Sequence, residues 1–234
     1  MNGALDTEAT TTVLKAFRAA WEEVSNDDYK SRLINSEHCL QAAIYMRLRR
    51  DLGDEFVVYC EAKVDLPAEF KASEADDPRD SAKKRVVIDL LICQKQADAK
   101  LSIVAAVELK YKPKWQPKPS DLTKDLISLS LITRRRAKSD SVSVEMGRYN
   151  DKNSGALTLG IVPQRKLVLA VFCDERHAKV FGEDRLMNLL PPGHRWHGLK
   201  STPPQLALAM TLTTDDGGVE ACRCQGRPFE RINI

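Results

Sequence analysis

Between Arg85 and Tyr111 the chain reads RVVIDLLICQKQADAKLSIVAAVELKY. Two apolar runs, Val86–Cys93 and Leu101–Tyr111, flank a polar connector, Gln94–Lys100. Both are short, rich in Val, Ile and Leu, and free of Gly and Pro, which is strand character. A connector this short joins antiparallel neighbours. The chain must therefore bury a hairpin inside a sheet, and three charged residues, Asp89, Glu108 and Lys110, interrupt that hairpin. With the turn centred between Asp98 and Ala99, Asp89 faces Glu108 with Cβ atoms about 5 Å apart. Glu108 and Lys110, two residues apart, project from one face of their strand.

Charge inside a sheet costs several kcal/mol per ion unless it is paired or bound to metal. Two readings follow. One is a Lys–carboxylate salt bridge at a solvated strand end. The other is a divalent-metal site, since two facing carboxylates suit Mg²⁺, which takes few protein oxygens and keeps several waters.

Asp89, followed by Glu108-Leu109-Lys110 at the end of the next strand, resembles the PD-(D/E)XK nuclease superfamily, with its restriction-endonuclease-like fold. The resemblance spans roughly Ser36 to Glu175. Ile88 stands where the family name has proline, and a second E-x-K occurs at Glu61-Ala62-Lys63. The resemblance implies an α/β fold: a central mixed four- to five-stranded sheet flanked by helices, with an N-terminal helical extension. It implies a metal-dependent endonuclease that hydrolyses phosphodiester bonds in DNA with Mg²⁺ or Mn²⁺. Asp89, Glu108 and the carbonyl of Leu109 would hold the metal, Lys110 would sit beside the attacking water, and an acidic residue on the preceding helix, here Glu37, would join the site. The expected organisation is one nuclease-like domain over 1–234: an extension over 1–30, a core with the metal site over 36–175, and C-terminal additions over 176–234. A homodimer or a partner subunit would help to choose the target.

Read in order, Val13, Leu14, Phe17, Trp21 and Val24 predict an amphipathic helix over Thr7–Ser25, broken at Asn26-Asp27-Asp28. Ser36 reads as the N-cap of a helix that runs to about Leu52 and stops at Gly53. Glu37 lies in its first turn, where an acid is favourable without any further role, and Gln41 follows one turn later on the same side. Phe56–Val64 reads as the first strand and Leu66–Lys84 as a surface loop. After Lys110, prolines exclude regular structure. Lys112, Lys114 and Lys118, spaced around Trp115, suit a nucleic-acid backbone with Trp115 stacking on a base, or else a solubilised loop with Trp115 folded inward. Ser120 would cap a helix from Asp121 to about Arg136, whose Lys124 and Asp125 approach the site's mouth without assigned chemistry. Lys138–Gly160 reads as a polar, turn-rich, mobile connection, Lys166–Cys173 as a buried strand, Glu175–Leu190 as a helix and Leu206–Thr213 as another strand.

A net charge of +3 is compatible with nucleic acid without arguing for it. No apolar run is long enough for a membrane span, and the first residues, MNGALDTEATTT, lack a signal-peptide pattern, so a cytoplasmic protein with no membrane partner is expected. The six scattered cysteines read as reduced thiols. His194, His197, Cys222 and Cys224 form a rival zinc set, weakened by Cys-x-Cys spacing. Two further functional readings stay open. One is a binding or assembly subunit on the same fold with little or no catalysis. The other is an interaction domain in which the three charged residues form only a salt-bridge network.

Overall fold

A computed structural model describes residues 2–65, 85–97, 100–113, 118–133, 141–145, 156–174, 205–213, 219–226 and 231–232. Its helices are α1 (Asn2–Glu23), α2 (Glu37–Leu52) and α3 (Pro119–Thr133). Its strands are β1 (Phe56–Asp65), β2 (Arg85–Lys95), β3 (Leu101–Lys112), β4 (Ser141–Glu145), β5 (Ala156–Asp174), β6 (Gln205–Thr213), β7 (Val219–Gly226) and β8 (Arg231–Ile232). This is an α/β protein with a central mixed sheet flanked by helices and an N-terminal helical extension. β1–β2 and β2–β3 are antiparallel, β3–β5 and β5–β6 parallel, and β7 and β8 extend the far edge antiparallel.

The long β5 serves two places. Ala156–Gly160 pairs with β4, which in turn pairs with β1, while Lys166–Cys173 lies between β3 and β6. The strands β1, β2, β3, β5 and β4 thereby form a closed circuit. Two apolar clusters cover the sheet. α1 and α2 bury Val13, Phe17, Trp21, Leu40, Ile44 and Leu48 against one side. On the other, Leu122, Leu126, Leu129 and Ile132 of α3 pack with Val144 and Leu159 from the β4–β5 hairpin.

Sequence periodicity misjudges three places. The N-terminal helix is not broken at Asn26-Asp27-Asp28, because α1 runs into a π-helical segment, Val24–Tyr29. Val24, Ser25 and Tyr29 are buried there, and Arg47 holds Asp28 at 2.8 Å, so tertiary contacts outweigh the breaker composition. The stretch expected as a turn-rich connection contains β4 and the start of β5. Val144 and Leu159 are buried, which short alternating patterns deliver only once a partner face exists. Helix α3 starts at Pro119, not after a Ser120 cap; proline suits the first helical turn, where its missing N–H has no intrahelical acceptor. The expected loop over Leu66–Lys84, the helix over Glu175–Leu190 and Arg134–Arg136 lie outside the described residues.

Candidate functional site

The β2–β3 hairpin positions the acids. Leu90 pairs with Val107, Leu91 with Ala106 and Ile92 with Ala105; a bulge at Val104 then shifts the register toward the turn. One step beyond Leu90 and Val107 the ladder ends, and there Asp89 stands opposite Glu108. β3 runs on, still paired with β5 as far as Lys112. Its N–H groups facing β2 need other acceptors. Asp89 Oδ2 accepts from Leu109 N–H at 2.6 Å, and Glu37 Oε2 accepts from Tyr111 N–H at 3.1 Å. Two carboxylates thus replace the missing strand, and this fastens the acid of α2 to the hairpin's open end.

β1 contributes a second irregularity. Cys60 pairs with Leu90 and Ala62 with Ile88, which puts Glu61 opposite Asp89, but Glu61 has a left-handed backbone with φ of 49°. Both strands change face here. Phe56, Val58 and Leu90 belong to the α1–α2 cluster, whereas Ala62, Val64 and Ile88 belong to the α3 cluster. The Asp89 carbonyl accepts from Gln41 Nε2 at 2.7 Å, one turn along α2 from Glu37. Ser36 caps this helix by accepting from Cys39 N–H, as its sequence suggests, which sets Glu37 in the first turn.

Lys110 lies between two acids. Its Nζ is 3.0 Å from Asp125 Oδ2 and 3.8 Å from Glu37 Oε1. The Asp125 contact is close enough for an ion pair but poorly aligned as a hydrogen bond. Burial separates the carboxylates: Glu108 is 4% exposed and its Oε1 has no hydrogen-bond partner, whereas the Glu37 side chain is 39% exposed.

The electrostatics follow from burial. Desolvation, then the charges of Asp89 and Asp125, push Glu108 well above its usual range, against Lys110. Burial also raises Asp89, opposed by the Leu109 N–H, and raises Asp125 to about 6, opposed by Lys110. Burial alone would lower Lys110, but Asp125, Glu37 and Asp89 outweigh it and hold the ammonium above its ordinary value. Burial and mutual repulsion thus shift these acids toward their protonated forms when no cation is bound.

Asp89, Glu108, Lys110 and Glu37 are therefore brought together, and Leu109 is tied to Asp89 through its N–H. Sequence reasoning assigned nothing to Asp125 or to the amide of Gln41. The signal for Asp125 was a carboxylate three residues after Leu122 and one before Leu126, in the buried stripe of an amphipathic helix. Of the basic loop, Lys112 ends β3 and Lys118 is exposed just before α3; Lys114 and Trp115 lie outside the described residues. Of the zinc set, Cys222 and Cys224 lie two apart on β7, and His194 and His197 are outside the described residues. Among the described residues, no three His, Cys, Asp or Glu side chains form a ready metal cage, and no helix is long and apolar enough to cross a membrane.

No protein-family model matches the chain, and no curated protein matches it in sequence. Among solved structures, the chain is similar to NucC of P. aeruginosa ATCC27853 in its cAAA-bound form. The identity is 10%, the match covers 92% of this chain and 83% of that one, and the TM-score is 0.42. A likeness that loose carries no weight for function.

Proposed function

We propose that the protein is a metal-dependent nuclease of the PD-(D/E)XK type that hydrolyses phosphodiester bonds in DNA. The observation that carries this reading is the meeting of Asp89, Glu108 and Lys110 where the β2–β3 ladder ends, with a buried Glu108 oxygen that has no protein partner. Two crowded carboxylates offering hard oxygen donors suit Mg²⁺ or Mn²⁺. Asp89 and Glu108 would hold the ion, with the Leu109 carbonyl as a further ligand. Bound there, the cation supplies charge neutralisation at the phosphate and makes hydroxide accessible near neutral pH.

The chain's own groups do the rest. Lys110, kept protonated by its acidic neighbours, acts as a donor that orients the attacking water and offsets charge building on the phosphoryl oxygens. Glu37 fixes the strand end at Tyr111 and shares the ammonium with Asp125. Lys112 and Lys118 offer cations to a DNA backbone, and Lys114 and Trp115, between them in the sequence, are proposed to add to that contact. A second copy of the chain or a partner subunit would place a second site on the opposite strand.

The test is cleavage of mixed DNA and RNA substrates in Mn²⁺ and Mg²⁺. Wild type is expected to cut DNA, Asp89→Ala to fold without cutting, and Lys110→Ala to fold with cleavage strongly reduced. Wild-type cleavage by both variants would sink the assignment. Calorimetry without metal uptake, alongside intact DNA binding, would favour a non-catalytic binding subunit. Loss of both would leave only a salt-bridge network.

A further inference from the structure

Helix α3 enters the site with one polar side chain. Leu122, Leu126, Leu129 and Ile132 are all 1% exposed or less, and Asp125 shares their face at 5%. A carboxylate embedded in a leucine stripe is destabilising on its own and persists where a cation answers it. The cation that answers it is Lys110, 3.0 Å away across the gap between α3 and β3. Lys110 is itself largely withdrawn from water, its side chain 14% exposed. A lysine carries four rotatable bonds on a flexible stem and has no planar fork to hold it in place. Something outside β3 must choose its rotamer.

We infer that Asp125 is a positioning residue: from α3, its carboxylate fixes the Lys110 ammonium on the Glu108 face of β3. The inference rests on the nuclease reading for its catalytic consequence, but the anchoring itself does not. Asp125 touches no substrate; it acts through Lys110. Because the contact is close but poorly aligned, charge carries it, and an amide of the same shape is a poor substitute. Glu37, at 3.8 Å and more exposed, is the weaker of the two partners.

Two measurements on the full chain test this. The first is nitrogen-15 NMR of the lysine ammonium groups, with Lys110 assigned by its loss in Lys110→Ala. A signal sharpened by slow solvent exchange is expected in wild type, and is expected to vanish in Asp125→Asn. The second is DNA cleavage in Mn²⁺. Asp125→Asn should lower kcat about a hundredfold, the scale of a displaced catalytic group, with KM within about twofold. Asp125→Glu should restore the ammonium signal and part of kcat. A Lys110 signal unchanged in Asp125→Asn, or kcat unchanged in an active enzyme, would overturn the inference. If wild type cuts nothing but the signal still depends on Asp125, the nuclease reading fails and the anchor stands. Should Asp125→Asn not fold, Asp125→Glu carries the test: it is expected to keep the Lys110 signal with kcat reduced. Loss of the Lys110 signal in that folded variant would overturn the inference.

Discussion

The chain spells E-x-K twice, and the two copies meet different fates. In β1, Glu61 and Lys63 are exposed, and among the described residues Glu61 pairs with the solvent-facing His38, at 3.6 Å. In β3, Glu108 is buried and Lys110 is held by two acids. The strands differ in their surroundings. β3 lies between β2 and β5, so its side chains meet α3 on one side and α2 on the other. At Glu61 the left-handed backbone turns the strand over, so that Ala62 and Val64 face the α3 cluster while Glu61 and Lys63 both face solvent. The same three letters thus yield a surface ion cluster in one place and a desolvated, mutually charged centre in the other. What separates them is burial and a third partner.

The sharpest way to break that contrast is to remove each lysine. Lys110→Ala should reduce DNA cleavage by about 10²- to 10³-fold, the scale of losing one preorganised donor. Lys63→Ala should leave the rate within about twofold. Equal losses would mean that burial does not distinguish the copies. Exchanging the glutamates comes next. Glu108→Gln should abolish metal uptake in calorimetry and also raise the metal-free thermal midpoint near pH 8 by about 2–4 °C per kcal/mol gained, because the unfolded chain gains from ionising an acid whose ionisation burial disfavours in the folded state. Glu61→Gln should do neither.

A third test uses pH. Asp125 is raised to about 6 in the folded protein, from about 4 in an unfolded chain. Between those values the folded state holds a proton that the unfolded state has released, so raising the pH favours unfolding. Metal-free wild type should lose stability from pH 4 to 6.5 more steeply than Asp125→Asn, as read by urea melts at each pH. A steeper loss in the variant would reverse the sign of the burial argument. The smallest effect belongs to the surface copy. Glu61→Gly should stabilise the protein by about 1 kcal/mol, since glycine adopts positive φ without the side-chain penalty.

Much of the scaffold was legible. The Val/Ile/Leu runs announced β1, β2, β3 and β6, and the Ser36 cap and Gly53 bracketed α2. The facing of Asp89 and Glu108 could be read because a two-residue period and a short connector leave few registers. The Val104 bulge was invisible, yet it lies on the turn side of the register that matters. β4 and the first part of β5 were not legible. Their few apolar residues become a face only when β1 and α3 supply something to cover.

By itself, then, the chain determined β1, β2, β3, β6 and α2 and which charges must crowd one hairpin, because local periodicity and turn length fix register. Only the tertiary structure decided that Glu37 caps the end of β3, that Gln41 holds the Asp89 backbone and that Asp125 answers Lys110. Those contacts join segments 15 to 74 residues apart, and burial rather than local spacing sets the strength of charge at such distances along the chain.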